Sequence, residues 1–129
     1  MNKSLSLIVA LMLTSPVYAG RHKRKTLNLD DALGMPVVTL QTSRGRKRFI
    51  LDTGSNISTM NVKAEKKLSV CVAGKQFTVR FKPTQTAEFG KFEAMLPPPK
   101  HVDGILGSDF MRHFHNVRFD FKGGLVSFE

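Results

Sequence analysis

From Pro36 onward the chain is divided into short runs of branched and aromatic residues by glycine-bearing turns, with no long stretch of helical apolar period. A chain divided in this way folds mainly as β-structure. Residues 36–41 (PVVTLQ) and 48–51 (RFIL) flank a turn at 43–46 and predict a β-hairpin, whose cationic tip keeps it soluble and discourages edge pairing. Further strands are expected at 57–60, 69–72, 76–81, 88–96 with a break at Gly90, and 102–106. A terminal hairpin, 117–121 and 125–128, turns on Lys122-Gly123-Gly124. Two short helices fit between them. One is capped by Asn61 and runs through Leu68; the other covers 109–114, with Ser108 as N-cap, Asp109 near its positive end and Asn116 closing it. Pro97-Pro98-Pro99 lacks backbone donors and is loop. About seven or eight short strands with two short helices, no internal repeat and no low-complexity tract predict a mainly β protein with a closed or partly closed barrel.

The first residues have a different character. Lys3, an apolar run over 5–13 and the ending Val17-Tyr18-Ala19 predict a cleavable signal peptide over 1–19. The run is shorter than the roughly 20 residues that cross a bilayer, so a permanent anchor is the weaker expectation. Removing 19 residues from 129 leaves 110, enough for one domain. That domain is expected over 35–129, preceded by a basic mobile tail or pro-segment over 20–34, and the product is exported, periplasmic or secreted. Cys71, the only cysteine, has no internal disulfide partner and is expected as a small core residue within Val70-Cys71-Val72.

Twenty Lys and Arg face ten Asp and Glu. Arg21, Lys23, Arg24 and Lys25 form one cationic cluster, and Arg44, Arg46, Lys47 and Arg48 another. Such runs are solvated faces, or they contact an anionic envelope surface, polysaccharide or acidic substrate. With one Tyr and no Trp the chain has little surface on which bases could stack, so no nucleic-acid partner is expected.

The segment FILDTGSN places Asp52 where an apolar strand gives way to a glycine turn. Alone, Asp-Thr-Gly is a weak signal, and a plain Asx turn accounts for it. A second element, DGILGSDFMRHF, follows about fifty residues later, with an apolar pair and Gly107 leading into a helix. Together these resemble the retropepsin family of aspartic proteases. Residues 49–55 match its apolar-apolar-Asp-Thr/Ser-Gly-Ala/Ser turn, and Ile105-Leu106-Gly107 matches the later element that packs beneath it. The C-terminal third is most similar to single-domain members of the DNA-damage-inducible type and to related exported bacterial proteases. The resemblance spans about 36–128, specific at the two motifs and loose between them.

What the resemblance implies is half of an acid-protease barrel, with Asp52 catalytic and Thr53, Gly54 and Ser55 supporting it. Gly74 would stand near the tip of a flap, although the viral glycine-rich tip is here only Ala73-Gly74-Lys75. Pro98, Val102 and Ile105 would line apolar substrate subsites. The viral ion pair beside the active site is replaced by Asn56 and Ser108, a neutral pair. One Asp-Thr-Gly per chain implies a homodimer, because the chemistry uses two carboxylates and a two-fold axis sets the same turn against itself. No cofactor or metal is implied. His113 and His115 diverge on a helix and His101 stands alone; Asp103, Asp109 and Asp120 read as turn, helix-start and strand residues. Asn56-Ile57-Ser58 matches a glycosylation acceptor, but a glycan there would block the cleft. The expected function is peptide-bond hydrolysis by an aspartic endopeptidase. The alternative is a non-catalytic periplasmic module on the same fold that binds peptide or envelope polymer.

Overall fold

The computed structural model describes residues 24–32, 34–84 and 101–129. Strands β1 (Thr26–Asn28), β2 (Asp30–Ala32), β3 (Met35–Thr42), β4 (Gly45–Leu51), β5 (Thr59–Met60), β6 (Lys66–Val72) and β7 (Lys75–Pro83) come first. Strand β8 (Gly104–Leu106), helix α1 (Ser108–Met111) and strands β9 (Val117–Asp120) and β10 (Leu125–Phe128) follow. Hydrogen bonding runs β3-β4-β8-β5-β7-β6, and β6 pairs back onto β3 through Gln41↔Cys71 and Thr42↔Val70, closing a six-stranded barrel. Closure removes the exposed edges that short strands would otherwise present.

Residue order explains the barrel locally. In β6 and β7, Leu68, Val70, Val72, Val79 and Phe81 alternate with polar neighbours and all face inward. The two are joined by Ala73-Gly74, both at positive φ (56° and 76°), the two-residue turn whose twist matches the strands it connects. The β3–β4 turn is held by Thr42, whose hydroxyl donates to the Gly45 carbonyl (2.7 Å) and accepts the Arg44 N–H (3.0 Å). Inside, the Phe49 and Phe81 rings stack at 5.4 Å and 9° across the barrel. Phe110 of α1 and Phe128 of β10 close the base of this core, joined through Phe114.

Ordered strand begins well upstream of Met35. β1 pairs with β10 in a three-stranded sheet, β9-β10-β1, and β2 pairs with the start of β3. Leu27 and Leu29 pack on the main core, while Ala32 joins Val37, Ile50 and Val102 in a second cluster outside the barrel wall. The Asp30 carboxylate meets the Arg48 guanidinium at 3.1 Å. These segments owe their order to partners elsewhere in the chain, which a local polar composition does not reveal.

Two helix expectations need correction. No helix runs from Asn61 to Leu68: residues 61–65 are irregular and Lys66 already pairs with Phe81. The inward alternation of Leu68, Val70 and Val72 has period two, and Glu65 ties the loop to β7 through Arg80 (3.3 Å) and Lys82 (3.2 Å). The second helix is a single turn, capped by Gly107 without a side-chain hydrogen bond, so Ser108 is its first residue and not its cap. Cys71 is half-buried and free, not a core residue. The leader over 1–19, the strand over 88–96 and the loop over 97–99 lie outside the described residues. Among those described, no helix is long and apolar enough to cross a membrane.

Because Phe81 is fully buried against Phe49, Phe81→Ala should lower stability by about 3–5 kcal/mol. Urea unfolding is expected to show a lower midpoint at unchanged slope.

Candidate active site

Asp52 begins where β4 ends. Strands β4 and β8 run parallel, with Phe49↔Gly104, Ile50↔Ile105 and Leu51↔Leu106 in register, and the Asp52 N–H extends the ladder to the Leu106 carbonyl at 3.0 Å. The chain then turns. Gly54 N–H donates to Asp52 Oδ1 at 2.9 Å, and Ser55 N–H donates to the Asp52 carbonyl at 3.2 Å. A Cβ on Gly54 would crowd Asp52 Oδ1 at 3.3 Å, so a glycine keeps the carboxylate unobstructed. Asp52, Thr53 and Gly54 are all exposed, and Asp52 Oδ2 has no partner among the described residues.

Beneath the turn lies Gly107. A Cβ there would stand 2.6 Å from both the Ser55 and Ile57 carbonyl oxygens, so only glycine permits the approach. Ser108 N–H donates to the Ser55 carbonyl at 2.7 Å, joining the two motifs through backbone. The neutral Asn56–Ser108 pair expected from the sequence is not what connects them; the Ser108 hydroxyl instead accepts from Arg112 at 3.2 Å. Ser55 also differs. Its hydroxyl donates to the Ile57 carbonyl at 2.7 Å, so it braces the turn and does not orient the Asp52 carboxylate.

The residues that hold this arrangement together are Ser58 and Asp109. The Ser58 hydroxyl donates to Asp109 Oδ1 (2.7 Å) and accepts the Gly107 N–H (3.0 Å), while the Ser58 N–H donates to Asp109 Oδ2 (3.0 Å). Ser58 is wholly buried and Asp109 half-buried, so the serine end of these bonds is shielded from water. Asp109 also accepts its neighbour Phe110 N–H at 2.8 Å, the local helix-start contact expected of it, but its larger task spans fifty-one residues. Sequence inspection passed over Ser58. The available signal was its inward parity: a serine two residues before the buried Met60 of a short strand requires a buried partner.

The remaining candidates divide. Gly74 is exposed at the β6–β7 tip, and three residues on Phe77 packs against Phe110 and Phe114 at 6.0 and 5.1 Å, so the hairpin is anchored to α1. Val102 is 0% exposed inside the outer cluster and offers no surface to a peptide; Ile105 is half-buried beside it. Pro98 lies outside the described residues. The cavity bordered by Leu27 and Leu40 and the cavity bordered by Met60 and Lys66 are not lined by Asp52 among the described residues. Among the described residues no three metal-ligating side chains gather. Asp120 Oδ1 accepts Gly123 N–H (2.7 Å) as a turn residue, whereas Asp103 Oδ2 accepts Arg48 N–H (2.8 Å) and links β4 to the entry of β8.

No family model matches this sequence, and no curated protein matches it. Among solved structures, a retropepsin-like aspartic protease from Rickettsia conorii superposes with a TM-score of 0.50 at 16% identity, covering 78% of this chain and 84% of that one. At that identity the likeness is one of fold, and the barrel is retropepsin-like.

Asp109→Ala strands the buried Ser58 hydroxyl and amide and should cost about 1–3 kcal/mol in urea unfolding. Lys122→Ala, at an exposed turn position, should stay within about 0.5 kcal/mol of the parent.

Proposed function

We propose that this chain is an aspartic endopeptidase that works as a homodimer, with Asp52 and the partner's Asp52 sharing one active site. The observation that carries it is the exposed Asp52 carboxylate on a turn held both by its own backbone bonds and by Leu106 and Ser108 of the second motif. Two such carboxylates facing each other about 3 Å apart cannot both ionise and so share one proton. The ionised member takes a proton from a water held between them, and the water oxygen attacks the peptide carbonyl carbon. The protonated member donates to the carbonyl oxygen. As the tetrahedral intermediate collapses, the C–N bond breaks, the nitrogen takes up a proton from the dyad, and a hydroxyl of the intermediate returns its proton to the dyad as the carboxyl product forms. Gly54 keeps one oxygen oriented, and the exposed Thr53 can hydrogen-bond across to the facing turn.

The terminal sheet supports a two-fold partner. Asn116 and Glu129 exchange both backbone bonds (3.1 and 2.8 Å), so by antiparallel alternation Arg118 and Asp120 also point their backbone groups at β10. Val117 and Phe119 therefore present N–H and C=O at the outer edge of β9, which pairs with no other strand among the described residues. An axis through Phe119 would pair it with its own copy and set Arg118 opposite the partner's Asp120. Slipping two residues either way opposes Arg118 with Arg118 or Asp120 with Asp120, which is unfavourable. The same register covers Phe121, 69% exposed and stacked on Phe119 at 5.6 Å. On this reading residues 1–19 direct export, and the enzyme works in the periplasm or outside the cell.

Asp52→Asn should abolish cleavage of unfolded protein at acidic to neutral pH while leaving the melting temperature unchanged. Mixed with wild-type subunits, it should reduce activity as the square of the wild-type fraction; linear loss would show that each chain acts alone. Peptide binding without any hydrolysis by the wild type would assign the barrel to capture instead. Arg118→Asp should weaken dimerisation roughly tenfold in sedimentation equilibrium, and adding Asp120→Arg should restore it. An unchanged dimer in the single variant would place the interface elsewhere.

A further inference from the structure

Strand directions define two ends of the barrel. β4 and β8 both run toward Asp52 and Gly107 at one end. At the other lie the turn before β4, the entry to β8, the exit of β5, which is antiparallel to β8, and the start of β6, whose Lys66 pairs with Phe81. This second mouth holds a cavity of about 450 Å³, floored by Met60, Val62 and Leu68.

Its rim is cationic. Arg44, Lys47 and Lys66 line it, Lys47 and Lys66 being half-buried, and none of the three has a carboxylate partner among the described residues. Among the described residues Asp103 is the one acidic member of the lining, and it is already engaged: Oδ2 accepts Arg48 N–H at 2.8 Å and Oδ1 faces His101 at 3.8 Å. The nearest other carboxylate in sequence, Glu65, turns away to Arg80 and Lys82. Three cationic side chains thus border one mouth with an apolar floor, where their like charges favour an anion. A single carboxylate would leave two of them uncompensated. A phosphate group with two negative charges, met by a guanidinium fork and two ammonium points, matches the number and type of donors.

We propose that this mouth, opposite the Asp52 end, is a binding site for phosphate groups, carried either on a soluble phosphate or on a lipid headgroup. The site is independent of the catalytic reading and stands whether or not Asp52 hydrolyses peptides.

The probe is pyrophosphate added to the purified protein at constant ionic strength. It should raise the melting temperature, as any ligand of the folded state does, and sodium chloride of equal ionic strength should not. Lys47→Gln and Lys66→Gln should each weaken the apparent affinity by roughly tenfold, whereas Lys122→Gln in the terminal turn should leave it unchanged. Equal responses in all three variants, or equal stabilisation by chloride, would overturn the site and leave only diffuse charge. Should a pocket variant fold poorly, amide shifts in the parent decide: pyrophosphate must perturb residues 44–47, 60–66 and 101–103, and a response centred elsewhere would overturn the assignment. Cosedimentation with phosphatidylcholine vesicles containing phosphatidic acid, competed by pyrophosphate and lost in Lys66→Gln, identifies the lipid source. Pyrophosphate binding without vesicle binding identifies the soluble one.

Discussion

The parallel pairing of β4 with β8, sealed by Gly107 under the turn, is the constraint on which the rest of the molecule depends. Two segments some fifty residues apart must lie side by side for Leu106 to accept the Asp52 N–H and for Gly107 to reach the Ser55 and Ile57 carbonyls. A parallel neighbour cannot be reached by a tight turn, so everything between the two motifs is a crossover that must return to the same edge. β5, β6 and β7 make that return and build the barrel wall on the way. Closure of the barrel and placement of the carboxylate are consequently one event: β5 pairs with β8 as well as β7, so the strand that follows the turn also completes the ring.

The pair of buried Ser58 and half-buried Asp109 holds this arrangement together. A carboxylate tucked behind a turn would be costly if unpaired, but each of its oxygens receives donors, and Ser58 spends its remaining capacity on Gly107. Three separate pieces of chain, the turn, the entry of β5 and the start of α1, are thereby joined around the wholly buried Ser58. Asp52 itself carries none of this work and is left free at the surface. The division places structural demand on one aspartate and leaves the other available for chemistry.

How far the fold could be read from the sequence follows from where each signal resides. Hairpins announced themselves because both halves of the signal are local: alternating Leu68, Val70 and Val72 on one side, Val79 and Phe81 on the other, and Ala73-Gly74 between them. The Asp52 turn and its partner motif were legible for the same reason. Residues 61–68 misled because Lys, Ala and Glu favour helix in isolation, while the inward period of two that decides their fate begins only at Leu68. β1 and β2 were hidden by their polarity, being ordered by β10 and β3 and by the Asp30–Arg48 ion pair. The role of the Ser55 hydroxyl was not legible, because a serine near an aspartate has more than one acceptor in reach and the Ile57 carbonyl is the one it takes.

The outer wall shows a second consequence of the upstream strands. Arg48 sits with its backbone in the β4 ladder and its guanidinium 3.1 Å from Asp30, yet two of its nitrogens, Nε and Nη2, are buried without acceptors among the described residues. Enclosing a guanidinium that is only partly satisfied is unfavourable unless the surrounding contacts outweigh it. Here they do so through Ala32, Val37, Ile50 and Val102, the apolar cluster that β2 covers. Removing the segment before Met35 would therefore both uncover that cluster and strip Arg48 of its counter-ion. Residues 26–32, which look dispensable by composition, are instead paired to β10 and to the start of β3, so any processing that keeps these pairings must cut upstream of Thr26.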